Sequence, residues 1–161
     1  MPQLTIQPIS KEQDAAMADI ILTVGEEFGA IGVGYGPSDA EVNALSEHYS
    51  EAERQQYWVA LLDDEVVGGI GIAPLNGHQN VAEMRKLFLS KKSRGLGLGR
   101  KLSLLSLEFA KEQGFSQCYL DTLSSMGAAI ALYESIGFKR LPKPLPGTIH
   151  TACDVWMLKT L

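Results

Sequence analysis

Three glycines stand in alternate positions in Ser93-Arg94-Gly95-Leu96-Gly97-Leu98-Gly99-Arg100-Lys101, between an apolar run and an amphipathic one. Glycine loses more conformational freedom on folding than any other residue, so this density requires something to come close to the backbone. The apolar run before it, Val81–Ser90, reads as a strand. The run after it repeats Leu98, Leu102, Leu105 and Phe109 on one helical stripe, with Gly114 as the stop. A chain that leaves a strand, turns on glycines and enters a helix presents the unpaired N–H groups of the first helical turn. The helix dipole adds roughly half a positive charge at that end. Arg94 and Arg100 add full charges at the rim, so the turn reads as a pyrophosphate cradle. A P-loop would need Gly-Lys-Ser/Thr, which is missing. A dinucleotide fold would space its glycines G-x-G-x-x-G, whereas Gly95, Gly97 and Gly99 give G-x-G-x-G after antiparallel-looking strands.

The rest of the chain supplies a sheet for that turn. Leu4–Ile9 alternates as a strand, and Ser10 with Gln13 forms a capping box for a helix reaching about Val24. The glycine-rich stretch from Gly25 to Asp39 reads as a mobile functional loop, and Ser38 with Glu41 as a second capping box opening a short helix toward His48. Two apolar runs around Asp63-Asp64-Glu65 make a hairpin. Val81–Ser90 alternates imperfectly, which implies an irregularity or burial on both faces. Cys118–Thr122 is a short buried strand. Ser124 or Ser125 caps a helix through Ser135, and Phe138–Leu141 and Ala152–Lys159 are two last strands. The unit from Met84 through Asp121 is a strand–helix–strand crossover, which implies one parallel pair in an otherwise antiparallel sheet. The expectation is an α/β (α+β) fold: one domain over 1–161, with a mixed, mostly antiparallel, twisted sheet and helices on its faces.

Composition narrows the partners. With 45% hydrophobic residues the 161-residue chain can build a core, and its net charge of −5 argues against a nucleic-acid partner. No apolar run is long enough to span a bilayer, so no membrane partner is expected. The opening residues lack the pattern of a secretion signal, and the two cysteines, Cys118 and Cys153, give no reason for a disulfide, so the expected location is cytoplasmic. His48 and His78 show no ligand spacing, and no metal is expected. His150, Cys153 and Asp154 lie together at the mouth of a late strand. They read either as a thiol nucleophile paired with a histidine or as groups shaping an acceptor pocket.

Arg94-Gly95-Leu96-Gly97-Leu98-Gly99 resembles the Q/R-x-x-G-x-G/A signature of the GNAT superfamily of acetyl-CoA-dependent acetyltransferases. Ala131–Leu141, "ALYESIGFKRL", resembles the L-Y-x-x-x-G-F block of the same family, at the usual distance downstream. The resemblance covers the whole domain and extends to a bacterial subgroup through "VVGGIGIAPL", "CYLDTLSSM" and "GTIHTACDVWML". It implies a sheet whose two central parallel strands splay apart. The pantetheine arm of acetyl-CoA, the acetyl donor, would lie in the gap against Leu87, Phe88 and Leu89. The backbone from Arg94 through Gly95, Leu96, Gly97, Leu98 and Gly99 to Arg100 would take the diphosphate.

The implied reaction is direct attack of a primary amine on the thioester within a ternary complex, with a backbone N–H stabilising the oxyanion. Tyr133, from the "LY" block, would donate a proton to the departing sulfur; otherwise it is a core tyrosine. Glu83, at the start of the central strand, would be the base; otherwise it is a strand-end carboxylate. The Gly25–Pro37 loop would wall the acceptor pocket, with Glu26, Glu27 and Tyr35 beside His150 and Cys153. Many relatives carry an asparagine where this chain has Met126, which reads here as packing. The acceptor would be a small-molecule amine or amino acid, and in second place a protein lysine or N-terminus. A sensor that holds acetyl-CoA without transfer is the alternative outside enzymes. A homodimer is expected by analogy with relatives.

Overall fold

The computed structural model describes residues 3–30 and 32–161. Strands β1 (Leu4–Pro8), β2 (Gln56–Leu62), β3 (Glu65–Pro74), β4 (Val81–Leu89), β5 (Gln117–Thr122), β6 (Lys139–Arg140) and β7 (Val155–Thr160) form one seven-stranded sheet. Its order is β1-β2-β3-β4-β5-β7-β6, and β4–β5 is the one parallel pair among the described strands. The helices are α1 (Asp14–Glu27), α2 (Leu45–His48), α3 (Leu98–Glu112) and α4 (Gly127–Ser135). This is the mixed, mostly antiparallel architecture the residue pattern implies.

Local chemistry explains most boundaries. Asp63 and Asp64 both take left-handed backbone angles, φ 50° and 69°, and close β2 onto β3 as a two-residue turn whose twist matches the strands. Before α1 the Ser10 N–H donates to Gln13 Oε1 at 2.9 Å, although one 3-10 turn separates this box from the α-helix. Helix α1 runs one turn past Val24. Two apolar layers cover the sheet. Trp58, Ile70, Ile72, Met84, Leu102, Phe109, Leu120 and Ile130 pack under α3 and α4, and Met17, Ile21, Leu45, Tyr57, Val59 and Phe88 pack under α1 and α2.

Several expectations give way to tertiary partners. Ser38 does not cap a helix: its hydroxyl accepts the Gly32 N–H, and two 3-10 turns precede the single turn of α2. Glu41 leaves its box for Lys86 and Arg85. Neither Ser124 nor Ser125 caps α4, because Ser124 binds Asp154 and Ser125 donates to the Phe28 carbonyl. Leu105 is 37% exposed, just off the edge of a buried α3 face that includes Leu102, Ser103, Ser106 and Ala110. Small serines at the centre of that face let α3 lie close to the sheet.

The sheet opens where the site lies. The β4–β5 ladder holds only at Val81–Gln117, Ala82–Cys118 and Glu83–Tyr119. Beyond Glu83 the strands part. On its other side β4 slips register against β3, from Gly71–Arg85 to Gly69–Phe88. Lys86 sits in this bulge at φ 52°, a left-handed angle uncommon for a side-chain-bearing residue. The Tyr57 hydroxyl donates to the Lys86 carbonyl at 2.8 Å and fixes the kink. The irregularity expected for this strand is therefore a bulge that turns β4 away from β5.

Candidate active site

Two adjoining cavities occupy the opening. The larger, about 420 Å³, is lined by the glycine turn at one end and by Leu87, Phe88, Leu89, Ala129 and Leu132 along its length. The smaller, about 70 Å³, is lined by Tyr35, Arg85, Asp121, Tyr133, His150 and Cys153 among others. Leu87, Phe88, Met126 and Ala129 line both, so a molecule lying in the first reaches the wall of the second.

The glycine turn leaves the start of α3 bare. Gly95 and Gly97 adopt φ 81° and 73°, and a side chain at either would be strained although nothing lies within 4 Å of a Cβ there. Gly99 is different: its Cβ would stand 3.2 Å from Leu132 Cδ2, so its bareness lets α3 approach α4. The first intrahelical bond of α3 runs from Lys101 N–H to Gly97 O, no side chain caps the helix, and no acidic residue lies in its first turn. Arg100 and Lys101 lie there instead. Cations at a helix N-terminus oppose the dipole, and the arrangement is balanced only when a negative group sits on the free N–H groups. A diphosphate fits this end, and the apolar length beyond it fits an uncharged arm.

Arg94 lines the larger cavity with the glycines, but its side chain is not free. The Arg94 guanidinium forms a fork with Glu27, both contacts at 2.8 Å, and also donates to the Leu89 carbonyl. Its charge is thus shared with a carboxylate rather than standing free at the rim. Leu96 is half-exposed and outside the cavity lining. The same fork corrects the expectation for Glu27, which lies beside the glycine turn instead of in the acceptor pocket. Glu26 is exposed on the last turn of α1 and lines neither cavity.

The smaller cavity is backed by a buried ion network. His150 Nδ1 lies 2.8 Å from Asp121 Oδ1 and Nε2 lies 2.8 Å from Asp39 Oδ2. Asp39 also accepts from Lys86 Nζ at 2.8 Å, and Lys86 reaches Glu41 at 3.0 Å. Thr148 donates to the other oxygen of Asp121. Burial works against charge on His150, but the two aspartates outweigh it and raise its pKa to about 9. At neutral pH the ring is an imidazolium that donates from both nitrogens. Burial likewise opposes the Asp39 and Glu41 carboxylates. His150 and Lys86 at Asp39, and Lys86 at Glu41, hold both pKa values below the ordinary range.

Glu83 lies behind the cavity wall and does not line it. Its Oε1 accepts from Arg85 Nε at 3.0 Å, while Oε2 is sealed from solvent without a partner, 3.8 Å from His150 Nδ1. Burial raises its pKa against the opposing pull of Arg85. Ligand atoms of Glu83, Asp121 and His150 fall within 4.8 Å of one another, a spacing that suits a cation. Both histidine nitrogens are already engaged by carboxylates, so the imidazolium itself supplies the positive charge there.

Tyr133 is buried, its ring edge-on to Phe138 at 5.9 Å, and it lines the smaller cavity. Burial pushes its phenol above the ordinary range. Cys153 lines the same cavity, but burial and the nearby Asp121 carboxylate push its thiol up to about 12. With His150 committed to two aspartates, the thiol has no base to activate it. Both cysteines are free. Asp154 turns away to Ser124. Met126 packs at the junction of the two cavities.

Residue-type reasoning missed Asp39, Glu41, Arg85, Lys86 and Asp121. A signal was present for three of them: Arg85 and Lys86 interrupt an apolar central strand, and Asp121 ends another. Asp39 and Glu41 carried none, since loop carboxylates are ordinarily solvated.

Known proteins share this fold. The profile of the acetyltransferase (GNAT) family matches residues 26–138. The uncharacterized N-acetyltransferase YjgM of Escherichia coli (strain K12) is 39% identical over 163 residues, covering 100% of this chain and 94% of that protein. The N-acetylaspartate synthetase of Xenopus tropicalis is 35% identical over 118 residues, 71% of this chain and 43% of that protein. Among solved structures, an acetyltransferase of the GNAT family from Staphylococcus aureus Mu50 superposes with a TM-score of 0.84 at 22% identity, covering 98% of this chain and 99% of that one. YncA from Salmonella typhimurium, solved with its cofactor acetyl-CoA, gives a TM-score of 0.76 at 20% identity, covering 98% and 93%. A full-length relative, a matching family profile and a shared fold meet on one conclusion: this chain belongs to the GNAT family and is an N-acetyltransferase.

Proposed function

We propose that the enzyme moves the acetyl group of acetyl-CoA to the primary amine of a small molecule by direct attack in a ternary complex. The observation that carries this reading is the pair of adjoining cavities at the parting of β4 and β5, one ending in an anion cradle and the other in charged groups. Bound acetyl-CoA supplies an activated acyl thioester. The free N–H groups at the start of α3, with Arg100, hold its diphosphate, and the edge of β4 that faces the gap at Leu87 and Phe88 orients the arm.

A primary amine with a pKa near ~10.4 must lose its proton first, which costs roughly 4.6 kcal/mol at neutral pH. Glu83 accepts it: its raised pKa and unpartnered Oε2 suit a base. Because Glu83 stands behind the wall, one intervening water carries the proton. The N–C bond forms as the C–S bond breaks, Tyr133 gives its proton to the sulfur, and the second proton of the acylated nitrogen passes to the Tyr133 phenolate. Glu83 then releases its proton to solvent. The raised thiol pKa of Cys153 supports direct transfer over a covalent acetyl-enzyme. A cavity of about 70 Å³ favours a small acceptor over a protein side chain. Two free thiols accord with a cytoplasmic setting.

Calorimetry with acetyl-CoA, followed by thiol-release assays over a panel of amines, tests the reading. Tight binding and release of CoA thiol with at least one small amine is expected. Binding without transfer to any amine would favour a sensor, and no binding would overturn the reading.

A further inference from the structure

The charged groups of the smaller cavity define an acceptor of opposite ends. Glu83 pairs with Tyr119 in the parallel ladder, and side chains two residues apart in a strand share a face. Arg85 and Asp121, each two residues further on, therefore sit on one face of the sheet across the opening gap, and both line the cavity. The other cations there are spent. Lys86 lies between Asp39 and Glu41, and His150 between Asp39 and Asp121. Arg85 is not fully spent: Nε holds Glu83, Nη1 makes only a 3.4 Å contact to Glu41, the Tyr49 hydroxyl lies beside the guanidinium, and Nη2 donates to no carboxylate among the described residues. Its side chain keeps 22% exposure within an otherwise buried network. Each oxygen of Asp121 accepts one hydrogen bond, from His150 or Thr148, and retains a second lone pair.

We infer that the acceptor is a zwitterion, an α-amino acid whose carboxylate is taken by Arg85 and whose ammonium is docked by Asp121. The inference rests on the acetyl-transfer reading above and adds the substrate class to it. A simple alkylamine would leave the guanidinium donors of Arg85 facing an apolar group, and desolvated donors without partners weaken binding. An amino acid places both charges within the reach of a small cavity and leaves its side chain to run toward the loop walls. Arg85 is then a specificity residue, and Glu83 Oε1, which holds Nε, orients it.

The test uses the intact enzyme with acetyl-CoA and follows CoA thiol release. The acceptors are the protein amino acids, their C-terminal amides and the amines lacking the carboxylate. Wild-type enzyme should favour the acid over its amide by about tenfold to a hundredfold in kcat/KM, the range of a hydrogen bond to a charged group. Arg85→Gln should collapse that ratio toward one, chiefly through KM. Asp121→Asn should raise KM for acids and amides alike. Should Arg85→Gln fail to fold, as judged by its acetyl-CoA affinity, the wild-type ratio of acid to amide still decides. Equal turnover of acids and amides would overturn this inference while leaving acetyl transfer to amines standing. No transfer to any amine would sink the transfer reading, and this one with it.

Discussion

Replacing His150 with glutamine should remove a specific, pH-dependent share of stability. His150 clasps three segments: Asp39 on the 32–44 loop, Asp121 on β5, and its own 147–154 connection. Its folded pKa of about 9 exceeds the ordinary 6.5, so folding takes up a proton. The stabilisation is full below pH 6.5 and is lost as pH rises through 9. The shift of about 2.5 units corresponds to roughly 3 kcal/mol, at ~1.36 kcal/mol per unit. For a chain of this size that amounts to roughly 6–12 °C in Tm, at about 2–4 °C per kcal/mol. Urea unfolding of wild type and His150→Gln at intervals from pH 6 to pH 9.5 measures it. Wild type should lose about 3 kcal/mol more across this window than the variant. Cys153, whose thiol is also pushed up, contributes its own alkaline loss near and above its ordinary pKa of 9, and that loss is common to both proteins and cancels in the comparison. Parallel pH profiles for the two proteins would refute the imidazolium clasp.

Gly97→Val should weaken acetyl-CoA binding well beyond its effect on the melting temperature, because it forces a β-branched residue to φ 73° in the turn that bares the α3 amides; equal affinity by calorimetry would count against the cradle. Tyr133→Phe should leave acetyl-CoA affinity near wild type and lower kcat by about 10²–10⁴ with a basic amine, the usual span for a positioned acid, and unchanged turnover would dismiss it as the donor. In Glu83→Gln the acidic limb of the pH–rate profile should disappear along with most of the activity; a limb that stays in place assigns the proton to another group. Glu27→Gln releases the Arg94 fork and should tighten CoA binding at low salt, with the gain fading as ionic strength rises; unchanged affinity would mean that Arg94 does not reach the anion.

The elements that carry local signals were legible. The glycine turn, the Asp63-Asp64 hairpin, the Ser10–Gln13 box and the single parallel crossover each follow from residues near one another in the chain. The failures share one physical cause. Ser38, Ser124 and Ser125 have the chemistry of helix caps, but each found a partner distant in sequence or a loop amide that served better. Glu27 looked like a loop charge free to attract an amine. It instead meets Arg94, 67 positions away, a pairing that no spacing rule encodes. The ion network is the extreme case, since Asp39 and His150 are 111 residues apart. Charges inside a sheet could be recognised as anomalous from the sequence, but their neutralisers could not be named.

The network and the splay are two parts of one construction. A sheet that opens between β4 and β5 exposes an internal edge, and backbone groups on such an edge need partners. The protein satisfies some of them itself: Tyr57 takes the Lys86 carbonyl and Arg94 takes that of Leu89. Leu87 and Phe88, between these two fixed points, line both cavities. The gap must also be kept from closing, since extending the β4–β5 ladder beyond Glu83 would pair backbone groups that the open edge leaves bare. The bulge at Lys86 prevents it, and Lys86 can hold its left-handed angle because Asp39 and Glu41 anchor its ammonium below the strand. Asp39 is anchored in turn by His150, and His150 by Asp121 on the opposite side of the gap. The chain of charges thus runs from one parted strand to the other. It props the cleft open and, by the same contacts, sets the charge pattern of the pocket at its end.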